Sequence, residues 1–140
     1  MTTRATDAEL IEYSLAQVAE RIGDPADRIY ARLFEAAPEL EALFVLDTDG
    51  SVRGEMLFKA FEMLADLVGE NRYAADFLEI EYRNHLNVGV APGRFTLFFE
   101  AMVDTFRDVL GQDWTPEIEH AWGAVLTRVG GIVERIDADT

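Results

Sequence analysis

His85 ends a helical stretch. The residues that follow, Asn87-Val88-Gly89-Val90-Ala91-Pro92-Gly93-Arg94-Phe95, read as a short glycine-containing loop whose proline opens the next helix. A neutral imidazole is a good ligand for a transition metal, and a helix end can present it into the space between packed helices. The chain has one other histidine, His120, and no cysteine. A transition metal or haem iron bound by this protein would therefore find its anchor at His85. The competing reading of the residue alone is a capped or surface histidine. His120 lies two positions before Trp122 on a helix, so the two point to different faces, and it reads as a surface residue.

Composition narrows what such an anchor can serve. A chain of 140 residues reads as one domain over 1–140, able to bury roughly 68% of its unfolded surface. Apolar residues make up 49%, including nine Phe, four Tyr and two Trp, which is enough for a substantial core. The formal charge of −15 repels phosphate backbones and anionic lipid, so no nucleic-acid partner is expected. The absence of cysteine removes disulfides, thiolate-ligated zinc or iron–sulfur sites and covalent C-x-x-C-H haem attachment. No leader-like segment and no apolar run of about eighteen residues appears, so a soluble cytoplasmic protein without a membrane partner is expected.

The elements that must position His85 are all helical. Thr6 with Glu9 forms a capping box ahead of Leu10, Ile11, Leu15, Val18 and Ile22. Asp24-Pro25 reads as an N-cap and first turn for a helix through Ile29, Leu33 and Phe34. Ala37-Pro38 breaks it and starts a short turn carrying Leu40, Leu43 and Phe44. After the Asp47-Thr48-Asp49-Gly50 loop, Ser51 is placed to cap a helix whose stripe is Leu57, Phe61, Leu64 and Val68. Gly69-Glu70-Asn71 interrupts, and a weaker helix runs from about Tyr73 to His85. Pro92 opens a helix with Phe95, Phe98 or Phe99, Met102, Phe106 and Val109 inward, ending near Gly111. Thr115-Pro116 starts the last, facing Ile118, Trp122, Val125, Val129 and Ile132 or Val133 inward. Gly130-Gly131 weakens its end by about 1 kcal/mol per glycine. No strand pattern or repeat competes, and the fold class is all-α.

From about Ile11 to Ile132 the chain resembles the globin family, in particular bacterial single-domain haemoglobins and the haem domain of flavohaemoglobins. The resemblance rests on Tyr30-Ala31-Arg32-Leu33-Phe34, on Pro38-Glu39-Leu40 leading to Phe44, and on Met56-Leu57-Phe58. It continues through His85 with Gly89-Val90 and Pro92, then Phe95, Trp114-Thr115-Pro116 and Ala121-Trp122. It implies a globin fold around haem b (iron protoporphyrin IX), with His85 as the axial ligand to the iron. Phe44 corresponds to the phenylalanine that packs on the haem plane, though locally it reads equally as a core aromatic. Tyr30 corresponds to a distal-pocket tyrosine whose hydroxyl would find its partner in bound ligand, the alternative being a nearby carbonyl. Leu57 would overlie the haem, and Phe95 would contact it from the helix after the loop. Arg53 falls where a distal histidine or glutamine usually stands. Its guanidinium would donate to ligand or to a haem propionate, or else snorkel to solvent. A slip of one residue would bring Gly54 there instead, and Met56 is a weaker candidate for a second iron ligand.

Two departures from the family bear on function. Phe95 stands where flavohaemoglobins carry a tyrosine thought to make the proximal imidazole more basic. Glu81, four residues before His85, is a candidate acceptor for the imidazole N–H, or simply a solvated acid. No flavin- or nicotinamide-binding segment follows Ile132, so turnover would need electrons from a separate reductase. The function implied is reversible binding of a diatomic gas, O2 above all, with NO and CO as other ligands, in oxygen storage or transport. The alternatives are a nitric-oxide dioxygenase served by an external reductase and a haem-based gas sensor module.

Overall fold

The computed structural model describes residues 5–139. Among these, six α-helices carry the chain: α1 (Asp7–Ile22), α2 (Ala26–Ala36), α3 (Ser51–Val68), α4 (Ala74–Asn87), α5 (Leu97–Leu110) and α6 (Pro116–Ala138), with 3-10 segments at Pro38–Phe44, Pro92–Arg94 and Gly111–Asp113. No strand occurs among the described residues, and the all-α expectation is met.

Helix α5 is central: α1 and α2 pack on it, and α6 packs on α1 and α4. Its buried face is Phe99, Met102, Phe106 and Leu110. The α6 face runs through Ile118, Trp122, Val125, Val129, Ile132 and Val133 to Ile136, so both residues left open by the periodicity are buried. Trp122 is 1% exposed, and its indole N–H donates over 2.8 Å to the hydroxyl of Ser14, itself fully buried. That bond satisfies the one polar atom that a buried tryptophan brings into a core.

Helix ends are closed both by their own first residues and by side chains from elsewhere in the chain. The capping box at Thr6 and Glu9 forms as expected, and Thr115 caps α6 through the Ile118 N–H at 3.2 Å. Asp24 accepts the Ala26 N–H at 2.9 Å, while Pro25 occupies the cap position. Ser51 makes no capping bond; Gly50 is the cap position and Asp47 takes the amides of Val52 and Arg53, each at 3.0 Å. Asp66 does the same for α4, accepting from Arg72, Tyr73 and Ala74 at 3.0, 2.9 and 2.8 Å. Arg21 closes the end of α5 on the carbonyls of Val109 and Leu110 and pairs with Asp113. Arg128 reaches the Leu67 carbonyl at 2.8 Å. At Gly69, between α3 and α4, a Cβ would lie 2.8 Å from the Ala65 carbonyl oxygen, so only glycine makes that turn without a shift. Pro92 starts a 3-10 turn, and α5 proper begins only at Leu97.

Candidate functional site

A cavity of about 430 Å³ lies between α2, α3, α4, the start of α5 and the segments that join them. Tyr30, Phe44, His85 and Phe95, four positions singled out from the sequence, all lie on its wall. The remaining wall is mostly apolar, and much of it comes from Leu33, Leu40, Ala60, Met63, Phe77, Leu78, Phe98 and Phe99.

His85 is oriented by its own helix. Its Nδ1 lies 2.6 Å from the backbone carbonyl oxygen of Glu81, one turn earlier. A carbonyl only accepts, so Nδ1 carries the proton, and in the neutral ring the lone pair is on Nε2. The acceptor is thus the Glu81 carbonyl and not the Glu81 carboxylate. Phe95 packs edge-on to the imidazole with centroids 5.2 Å apart and to Tyr82 at 5.1 Å. The Tyr82 hydroxyl turns away from the cavity to donate to Asp137 at 2.6 Å, and burial together with that carboxylate pushes its pKa up to about 12. His120, by contrast, is exposed on α6.

Tyr30, 2% exposed, is braced by the rings of Phe44, Phe98 and Phe34 at 5.5, 5.6 and 5.9 Å. Its hydroxyl is buried and has no hydrogen-bond partner among the described residues, neither a carbonyl nor a side chain. Burial holds the phenol neutral, with a pKa far above its ordinary value. A buried hydroxyl left unsatisfied on a cavity wall costs about 1–3 kcal/mol. The cost is recovered if something polar enters the cavity.

Helix α3 is turned differently from the expectation. Val52, Met56, Lys59, Ala60 and Met63 lie on the wall, at helical spacing, whereas Leu57 does not: it is 2% exposed and packs into the core. Arg53 is not on the wall either. Its Nε donates to the Asp47 carboxylate at 3.0 Å and its Nη2 to the Asp47 carbonyl at 3.1 Å. Asp47 takes its place there. Burial opposes the charge on Asp47, but the Val52 and Arg53 amides and the Arg53 guanidinium outweigh it and hold the carboxyl below its ordinary range. Sequence reasoning passed over Asp47, Met63, Phe77 and Leu78. An acid a few residues ahead of a helix start was the available signal for Asp47.

The mouth of the cavity is amphipathic. Leu43, Leu46, Val52 and Val88 are apolar yet exposed there, Leu46 to 93%. Two cations, Lys59 and Arg94, share the rim, with Arg94 paired to Glu39 at 2.8 Å. The described residues contain no cluster of three or more His, Cys, Asp or Glu able to hold a metal. His85 is the one histidine on the cavity wall. A planar apolar group that carries its own metal and has an anionic edge fits the donor set: one imidazole with a free Nε2, aromatic walls and cations at the opening. No helix among the described residues is long and apolar enough to cross a membrane.

The model of the Globin family matches residues 27–133. The chain is 28% identical over 133 residues to anaerobic nitrite reductase NSHB5 of Oryza sativa subsp. indica, covering 92% of each chain. It is 24% identical to anaerobic nitrite reductase HBII of Casuarina glauca, over 86% of this chain and 83% of the other. A flavohemoprotein of Rhizobium meliloti is 23% identical over 79% of this chain, which spans only 28% of that protein's length.

Proposed function

Because the chain belongs to the globin family, we propose that it is a haem b protein that binds a diatomic gas reversibly, with O2 as its principal ligand. When bound, the haem would supply the iron at which the gas is taken up. His85 would hold that iron through Nε2, its ring oriented by the Glu81 carbonyl and by Phe95. Phe44 and Phe95, on the cavity wall, would pack on the macrocycle, and Lys59 and Arg94 at the rim would meet its carboxylates. Met56, Ala60 and Met63 form the α3 wall in the role expected of Leu57, keeping water out.

The single observation that carries the gas-binding reading is the orphaned hydroxyl of Tyr30. A neutral phenol, held above its ordinary pKa by burial, is a donor at any physiological pH. In the cavity it donates to a polar diatomic ligand such as O2 and offers much less to CO. The test is the oxygen dissociation rate and the O2 and CO equilibria of the haem-loaded protein. Slow oxygen release that Tyr30→Phe accelerates supports the proposal; an unchanged rate removes Tyr30 from it.

A second reading is nitric-oxide dioxygenation with a separate reductase. It is favoured by the likeness to the flavohemoprotein, of which this chain corresponds to about a quarter of the length. Sustained NO consumption in the presence of an added reductase, as opposed to one stoichiometric turnover, separates it from storage or transport.

A further inference from the structure

Arg94 stands at the cavity mouth with part of its guanidinium already engaged. Its Nε lies 2.8 Å from the Glu39 carboxylate, and both side chains are about half exposed. A guanidinium carries five N–H donors in a planar fork. The contact with Glu39 uses Nε, and the Nη donors make no hydrogen bond to any described residue. The other rim cation, Lys59, is held only loosely, 3.9 Å from Glu55 on its own helix. Glu39 belongs to the 3-10 segment Pro38–Phe44, which gives Leu40, Leu43 and Phe44 to the wall. Arg94 ends the turn Pro92–Arg94, and the next residue, Phe95, packs on the His85 ring. Among the described residues no other hydrogen bond or ion pair joins these two segments.

We infer that Glu39 is a positioning residue: it holds Arg94 at the cavity mouth with its Nη donors left for the carboxylates of the bound cofactor. The inference rests on the haem-globin reading above. A long arginine side chain loses rotamer freedom when it is fixed by a partner. With Nε already held by Glu39, much of that loss precedes cofactor binding, so a charge-assisted bond from Nη forms at lower cost. The planar fork makes this possible, because fixing Nε also sets the plane of the two Nη groups. The negative charge of Glu39 opposes the cofactor's carboxylates, but the guanidinium it contacts offsets that charge at once.

The test is the rate at which the haem-loaded ferric protein gives up its haem to excess haem-free myoglobin, followed in the Soret band. It is run with haem b and with its dimethyl ester, which has no free carboxylates. With haem b, Glu39→Gln is expected to lose haem about two- to fivefold faster, the scale of an exposed ion pair. Arg94→Gln should lose it about tenfold faster, the scale of a charge-assisted hydrogen bond. The double variant Glu39→Gln/Arg94→Gln should be no faster than Arg94→Gln, because Glu39 acts only through Arg94. With the dimethyl ester, Glu39→Gln and the natural protein should lose haem at the same rate. A Glu39→Gln variant that keeps haem b as long as the natural protein overturns the inference. One that keeps it longer does so too, since Glu39 would then compete with the cofactor for Arg94. Equal acceleration with the ester also overturns it, leaving the pair as a mechanical strap between the two segments. Haem uptake followed by any of these failures defeats only the role of Glu39, while a protein that takes up neither haem defeats the haem reading with it.

Discussion

The Tyr82 hydroxyl donates to Asp137 at 2.6 Å, tying α4 to α6 three residues ahead of His85. The tyrosine is fully buried, and its ring backs Phe95, which in turn backs the imidazole. Tyr82→Phe should keep the ring packing but lose a hydrogen bond to a charged acceptor, costing about 1.5 kcal/mol in a urea unfolding curve. Asp137→Ala should cost at least as much, because it leaves the hydroxyl of a fully buried tyrosine without its acceptor. A neutral Tyr82→Phe would remove the tie from the energetics of the proximal helix.

Ser14 and Trp122 are the corresponding pair in the core. Ser14→Ala leaves a buried indole N–H without its acceptor, and the expected loss is about 1–3 kcal/mol by thermal or chemical denaturation. A loss well below that range would mean that another acceptor reaches the indole.

Tyr30 should show the opposite sign. Removing a hydroxyl that has no partner is expected to leave the haem-free protein as stable as before or about 1 kcal/mol more stable. The same Tyr30→Phe substitution should speed oxygen release about tenfold. Stability gained with function lost would mark the residue as retained for its ligand. A destabilised haem-free variant would reveal a structural bond instead.

Asp66 predicts an acid-sensitive joint. Burial raises its pKa, but the amides of Tyr73, Arg72 and Ala74 and the charge of Arg72 lower it further, so the folded value lies below the ordinary one. A group depressed in this way contributes stability that is fully present above about pH 4 and lost as pH falls through the folded pKa. Asp66→Asn should lower the melting temperature at pH 7 and flatten its fall between about pH 5 and 2. An unchanged acid slope would assign that slope to other carboxylates.

Much of this could be read before the fold was seen. Helix order and the inward faces of α5 and α6 followed from apolar spacing, because long helices with a single buried stripe leave little choice of face. His85, Tyr30, Phe44 and Phe95 came together in one cavity as their order in the chain suggested. The distal helix was not legible to the same degree. Leu57 and Met56 are adjacent and both apolar, so pattern alone does not say which enters the core and which the cavity. The rotation depends on how the Asp47–Gly50 loop feeds α3, and that depends on bonds from Asp47 across five and six residues. The acceptor for His85 escaped for a similar reason: a backbone carbonyl has no signature in a sequence, while the side chain of the same residue, Glu81, draws attention.

The most direct test of the haem assignment is the visible absorption spectrum of the purified protein, reduced and then reduced with CO, for the natural sequence and for His85→Gly. The expected result is a Soret band that shifts on CO binding, is lost or strongly altered in His85→Gly, and is restored by added imidazole. A protein that stays colourless after haem is supplied, or a His85→Gly variant with an unaltered spectrum, would contradict the assignment of His85 as the iron's anchor.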